Sequence, residues 1–386
     1  MFISNQESFK AFVERASSSS FLAIDTEFLR EKTYYAKLCL LQIATETEVA
    51  IIDPLKLHSL LPLAPLFEDE NIVKVFHACD QDVEILYHEL GVIPKPLFDT
   101  QVAAALLGHP KQVGYAALVN SICGVSLKKA DSFTDWSHRP LTNSQIQYAA
   151  DDVIYLAKMY RPIVEKLEHA GRLSWLKHDF EELSNPKRFT VDARSRFRHL
   201  KRGNQLTRKQ LSAARELAAW REQRAEKSNI PRKWILTDEQ IVEICKRGSR
   251  TIDDLFLVRG VREKLSTRDA RDVIALMAKG TNLPEDQWPT LVNHDRNERN
   301  VDVEVGMMSA LLHMRAREAG VAPQAIASSS DLAALARSHK EESELLRGWK
   351  YELVGKELEQ LLEGKLSLQF KNGKLLVVPV TESEPA

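Results

Sequence analysis

The chain has 386 residues, 44% of them hydrophobic and 28% charged, with a formal net charge of −1. That length and apolar content suit two or three domains, each with its own core, and the mean hydropathy of −0.29 is that of an ordinary soluble protein. The near-zero total charge neither demands nor excludes a nucleic-acid partner, so the local distribution has to decide.

The start, Met1 to Glu7, lacks the basic and apolar segments of a signal peptide, and no apolar run approaches a membrane span. The four cysteines (Cys39, Cys79, Cys123, Cys245) form no CxxC pair and lie in or beside apolar runs, so buried free thiols and a reducing cytoplasm are expected.

In chain order, Phe21–Phe28 predicts a buried strand. Leu38–Ile43 and Val49–Ile52 predict the next two strands, close enough for an antiparallel meander, and Asp53-Pro54 stops the third. Ile72–Phe76 is a fourth strand, running into a helix over about 80–90 that Gly91 closes. Phe98-Asp99-Thr100 introduces another helix, with Asp99 or Thr100 as N-cap. A polar loop over about 126–142 precedes a long helix over about 143–168, ended by Gly171. Helices packed on a sheet make this part a mixed α/β domain.

After residue 175 the strand signal fades. From Lys187 to Lys209 there are nine Lys or Arg against one acid, Asp192, a strip that either faces phosphates or is a solvated linker. Helical spacing follows in Leu211, Ala214, Leu217 and Ala218, then in Ile241 and Ile244. Trp220 and Trp234 are expected in the core. A charged stretch over 281–300 predicts a linker, and a second helical unit covers about 301–363. Both units place a Pro near the midpoint (Pro231, Pro323), then apolar residues, then an Asp opening a helix (Asp238, Asp331), which suggests an internal duplication. Leu366–Phe370, Asn372-Gly373 and Leu375–Val378 predict a hairpin with a type I′ turn.

Three places carry chemistry. Asp25 and Glu27, two apart on a strand, point to one face, where paired carboxylates need neutralising and hard divalent cations want such oxygens. Alone, Asp-x-Glu is a weak signal. Asp82 lies in the first turns of the helix after the fourth strand, where acids also serve as caps; Asp80 suits capping better. Tyr148 and Asp152, four apart, share a helix face that continues to Tyr155 and Leu156, an inner face and an odd core unless it serves a site.

Together, Asp25-Thr26-Glu27-Phe28, His77-x4-Asp82 and Tyr148-x3-Asp152 resemble the three exonuclease motifs of the DEDD superfamily, tyrosine branch. The flanks Leu97-Phe98-Asp99-Thr100-Gln101 and Asp135-Trp136-Ser137-x-Arg139-Pro140-Leu141 are similar to those of ribonuclease D. The helical units after residue 205 resemble the domain shared by helicases and ribonuclease D (HRDC). The resemblance implies a ribonuclease H-like α/β exonuclease domain with a mixed sheet over 1–175, a basic linker over 176–204, an HRDC domain over 205–285, and a second HRDC-like helical domain with the hairpin over 290–386.

It further implies a 3′→5′ exoribonuclease that trims structured RNA such as tRNA precursors and releases 5′-mononucleotides with two divalent ions, Mg²⁺ or Mn²⁺. Asp25 would bridge both ions, Glu27 and Asp152 would complete one site, and Asp82 would hold the other through water. Tyr148 would position the attacking water. Phe28 would stack on the terminal base or fill the core. His77 and Gln81 would line the site or serve structure. Arg139 would meet a phosphate or pair with an acid. A monomer is expected. The rivals are a 3′→5′ DNA exonuclease and a non-catalytic nucleic-acid-binding protein. A helicase accessory module is disfavoured because no GxxxxGK[ST] loop is present.

Overall fold

A computed structural model describes residues 1–127, 134–291, 299–338 and 343–380. Parts of the expected 126–142 loop and 281–300 linker fall outside them. The first domain is built on a six-stranded mixed sheet: β1 (Phe2–Ile3), β2 (Phe21–Leu29), β3 (Lys37–Ala44), β4 (Val49–Ile52), β5 (Val73–Phe76) and β6 (Leu97–Asp99), in the order β1-β4-β3-β2-β5-β6. β2, β3 and β4 form the expected antiparallel meander, and β5 and β6 extend it in parallel beside β2. The edge strand β1 and the three-residue β6 are too short to leave an alternation pattern, and the sequence did not disclose them.

Alternation along β2 separates two cores. Leu22 and Ile24 pack with Phe9, Phe12, Val83 and Leu86 on one face. Ala23, on the other face, packs with Val153, Leu156, Met159 and Ile163 of the long helix Asn143–His169. Thr142 starts that helix with a reciprocal capping box to Gln145.

The segment expected as a basic linker is structured, through the helices Lys177–Leu183 and Ala193–His199. Phe189 joins a core of the first domain, and Phe197 and Leu200 join that of the first helical unit. The basic strip is partly neutralised: Arg188 pairs with Asp80, Arg194 with Glu216 and Arg196 with Glu222. Trp234, expected in the core, is exposed, whereas Trp220 packs against it. Three cysteines are buried and Cys123 is half-buried; all four are free thiols.

The two helical units repeat one plan. Arg208–Ser228 ends at left-handed Asn229, and Asp302–Ala319 ends at left-handed Gly320. Each is followed by a one-turn helix at the Pro, Arg232–Ile235 or Pro323–Ile326. A capping box at Thr237 or Ser328 then opens the next helix. The C-terminal hairpin pairs β7 (Leu366–Lys371) with β8 (Lys374–Pro379) across Asn372 and Gly373, both at positive φ as a type I′ turn requires.

Both units rest on the first domain. Asn229 Oδ1 accepts from the backbone N–H groups of Tyr34 and Tyr35, each at 3.1 Å. On the other side, the Ala322 N–H donates to Ala105 O at 2.8 Å, and Trp175 stacks on Trp349 with centroids 4.5 Å apart.

Arg139 departs from its expected substrate contact. Its Nε and one terminal nitrogen donate to the two Asp53 oxygens at 2.7 and 2.8 Å. Its other N–H groups reach the carbonyls of Trp136, His138 and Cys39. All five donors are thereby engaged, leaving none for a phosphate. Arg139 fastens the loop before the long helix to the end of β4, the acid-pairing alternative. Because Asp53 is 1% exposed, Arg139→Met strands a buried carboxylate, and urea denaturation should show a loss of about 3–5 kcal/mol. An unchanged denaturation midpoint with weakened RNA binding would instead return Arg139 to the substrate.

Candidate active site

Asp25 and Glu27 project from β2 on the long-helix side, and a bulge between Glu27 and Phe28 ends that alternation. One turn into the long helix come Tyr148 and then Asp152, both facing the same space. Among the described residues, the ligand oxygens of Asp25, Glu27 and Asp152 lie within 4.8 Å of one another. They open into a cavity of about 910 Å³ also lined by His77, Tyr115 and Tyr148.

Asp82 arrives from the opposite side of the sheet, on the helix Asp80–Leu90. Thr26, pointing away from Asp25 and Glu27, donates its hydroxyl to the buried Asp82 carboxylate. The middle residue of Asp-Thr-Glu thus ties the fourth acid to the strand bearing the first two. Asp82 sits in the first turn of its helix, but its carboxylate also serves the strand through Thr26.

The protonation energetics follow first from burial and then from crowding. Burial and the neighbouring Asp152 hold the Asp25 carboxyl well above the usual carboxylate range. Burial, then Asp25, Asp152 and Asp82, pushes Glu27 up to about 9. Burial and Asp25 raise Asp82, and burial and Asp151 bring Asp152 to about 7. Four acids whose charged forms are each opposed in this way form a set that binds either protons or cations. Hard oxygen donors at this spacing fit divalent metal ions.

Asp99 supports the geometry from behind. Its buried carboxylate accepts from the N–H groups of Ala78, Cys79 and Gln101 at 3.1, 2.9 and 2.8 Å. It caps the helix Thr100–Ala105 and also holds the turn that launches the Asp82 helix, where Ala78 takes a left-handed φ of 59°. His77 bonds Thr100 Oγ1 at 3.0 Å and, as donor, Val113 O at 3.1 Å; burial lowers its pKa. It therefore lines the cavity and serves structure together.

Tyr115 carries no motif and was not singled out from the sequence. Its hydroxyl donates to the carbonyl oxygens of Asp151 and Asp152, and its ring meets His77 edge-on with centroids 5.5 Å apart. It pins the helical turn bearing Asp152. Trp136, 6.0 Å from the Tyr148 ring, supports that side chain. Phe28 lies outside the cavity lining, half-buried against the opposite core with the Arg30 guanidinium 5.9 Å from its ring centre. This conformation displays the core-filling alternative for Phe28. Gln81 is exposed and also outside the lining.

Comparison with known proteins places these features in a family. Residues 1–168 match the 3′-5′ exonuclease family and residues 210–277 the HRDC domain family. The chain is 38% identical to ribonuclease D of Sphingobium indicum, covering 97% of each chain. It is also 38% identical to ribonuclease D of Jannaschia sp., covering 98% of this chain and 99% of that one. The crystal structure of Escherichia coli RNase D superposes with a TM-score of 0.80 at 28% identity, over 94% of this chain and 98% of that one. A metal-dependent DEDD nuclease domain followed by a nucleic-acid-binding HRDC domain is the architecture shared with these relatives, and the chain belongs to the ribonuclease D family of 3′→5′ exoribonucleases.

Proposed function

We propose that the chain trims unpaired 3′ ends of structured RNA, tRNA precursors among them, by hydrolysis at the Asp25–Glu27–Asp82–Asp152 centre. The observation that carries this is the carboxylate cluster beside Tyr148 in an open cavity. The Escherichia coli relative is described as an exoribonuclease involved in structured RNA processing, which supports RNA over DNA.

In this reading Asp25, Glu27, Asp82 and Asp152 would hold two divalent ions, Mg²⁺ or Mn²⁺. Bound there, such ions lower the pKa of a water and neutralise the developing charge on the leaving oxygen. Asp25, Glu27 and Asp152 fix where the terminal phosphate sits. The Tyr148 hydroxyl orients the attacking water for in-line displacement, and the product is a 5′-mononucleotide. Asp99, Thr26 and Tyr115 keep the acids in register. The free thiols suit a reducing cytoplasm, and among the described residues no helix is long and apolar enough to cross a membrane. We take the working unit to be a monomer.

A 5′-labelled RNA with an unpaired 3′ tail tests the reaction. In Mg²⁺ or Mn²⁺ the label should move down a ladder shortening from the 3′ end, and EDTA or Asp152→Ala should abolish it. Tyr148→Phe should lower kcat by about 10²- to 10⁴-fold with little change in KM. Intact RNA under every metal condition would leave a nucleic-acid-binding protein, and faster degradation of matched DNA would make it a DNA exonuclease.

Proton linkage gives a second test. Glu27 titrates near 9 in the metal-free fold, against an ordinary value of 4.5. A raised folded pKa stabilises the protein below the unfolded value, and that contribution is lost as pH climbs toward 9. The metal-free protein should therefore lose melting temperature between pH 5 and pH 9, roughly the interval between those two values. Divalent ions should restore it, and calorimetry in buffers of different ionisation enthalpy should detect proton release on binding. Metal binding with no proton release at pH 7 would contradict this picture of the site.

A further inference from the structure

β3 carries an anomaly next to the acids. From Leu38 to Ala44 every residue is buried and all but one are apolar; the exception is Gln42, fully buried, with neither its amide nitrogen nor its amide oxygen hydrogen-bonded. An amide in that condition opposes folding, whereas an apolar side chain of similar size would not. The position is not arbitrary. In the β2/β3 ladder Gln42 stands directly opposite Asp25, so the two side chains leave the sheet on the same face. Ile51 flanks Gln42 on its other side, and the long helix bearing Asp152 closes over that face. Gln42 does not line the cavity. Fully buried, it belongs to the packed interior and not to the cavity surface.

We infer that Gln42 is a positioning residue for Asp25: its amide donates to the Asp25 carboxylate when that carboxylate holds a divalent cation. The inference rests on the assignment of Asp25 as a metal ligand. The logic is that of an outer partner of a metal-binding carboxylate. A ligand oxygen occupied on one side by the ion is oriented from the other by a hydrogen bond, which selects one rotamer. The other six residues of Leu38–Ala44 fill core, and only the one facing Asp25 keeps a donor. The device therefore favours the ion-bound state at the expense of the ion-free fold.

The test uses full-length protein, with Mn²⁺ as the probe, followed by calorimetry and by the spectrum of bound Mn²⁺, alongside thermal melting of the metal-free protein. Gln42→Met keeps the length and removes the donor; Gln42→Leu is a second variant of different shape. In each, Mn²⁺ affinity should fall by about 10- to 100-fold, the usual effect of removing an outer partner. The metal-free melting temperature should stay level or rise. A purely structural role predicts the reverse pattern: a lower melting temperature and unchanged affinity. Affinity within twofold of the wild type overturns the proposal. So does failure of both variants to fold, because a residue unpaired in the metal-free fold is not required for it. Asp25→Asn separates this from the metal assignment. If it binds Mn²⁺ normally, the assignment of Asp25 fails; if it loses binding while the Gln42 variants do not, only the role of Gln42 fails.

Discussion

Four carboxylates held together in a partly dry site repel one another, and the architecture of the nuclease domain is organised around tolerating that repulsion. Neither strand nor helix alone could hold them. β2 supplies two by alternation, the long helix brings Asp152 down on the same face, and Asp82 comes from the other face through its bond to Thr26. Because burial, and then neighbouring acids, raise the proton affinity of these carboxylates, the cluster is stable with protons or with cations and unstable bare. The same property that makes the site costly to fold without ions makes it a strong site for them.

Geometry that works against repulsion has to be held rigidly, and the residues that hold it are mostly not the acids. Asp99 joins two helix starts through one carboxylate. Tyr115 fixes the Asp152 turn through backbone carbonyls, so the side chain of Asp152 stays free for other work. Arg139, with every donor engaged, anchors the loop that leads into the catalytic helix. These contacts link β4, β6, the loop and the long helix, so a displacement at any of them reaches the acids.

What could be read in the sequence divides along this line. Asp25, Glu27, Asp82, Tyr148 and Asp152 were legible because their spacing follows strand and helix periods and because the motifs are short and local. The family they resembled is the one to which the chain belongs. Tyr115 was not legible, since its partner is 37 residues away and a backbone carbonyl leaves no trace in side-chain chemistry. Arg139 was ambiguous for a similar reason: its acid, Asp53, is 86 residues away, and the sequence shows only a cation near a catalytic helix. The basic strip misled in part, because Glu216 and Glu222, which neutralise it, lie on the helix that follows. The duplicated plan of the helical units was visible because Pro and capping residues mark turns directly in the sequence.

The two helical units share that plan but meet the nuclease domain through different physics. The first keeps a core of its own, to which, among the described residues, the nuclease domain contributes only the half-buried Tyr34. Its docking is otherwise polar, with Asn229 accepting two backbone N–H groups and Glu222 accepting the Tyr34 hydroxyl at 2.6 Å. Among the described residues the second has no separate core: Met308, Leu311 and Leu312 belong to one apolar cluster with Val153 and Leu156 of the long helix. Separating the first unit would expose polar groups that water can satisfy, while separating the second would open the core that seats Asp152. The second unit is therefore part of the nuclease domain's foundation.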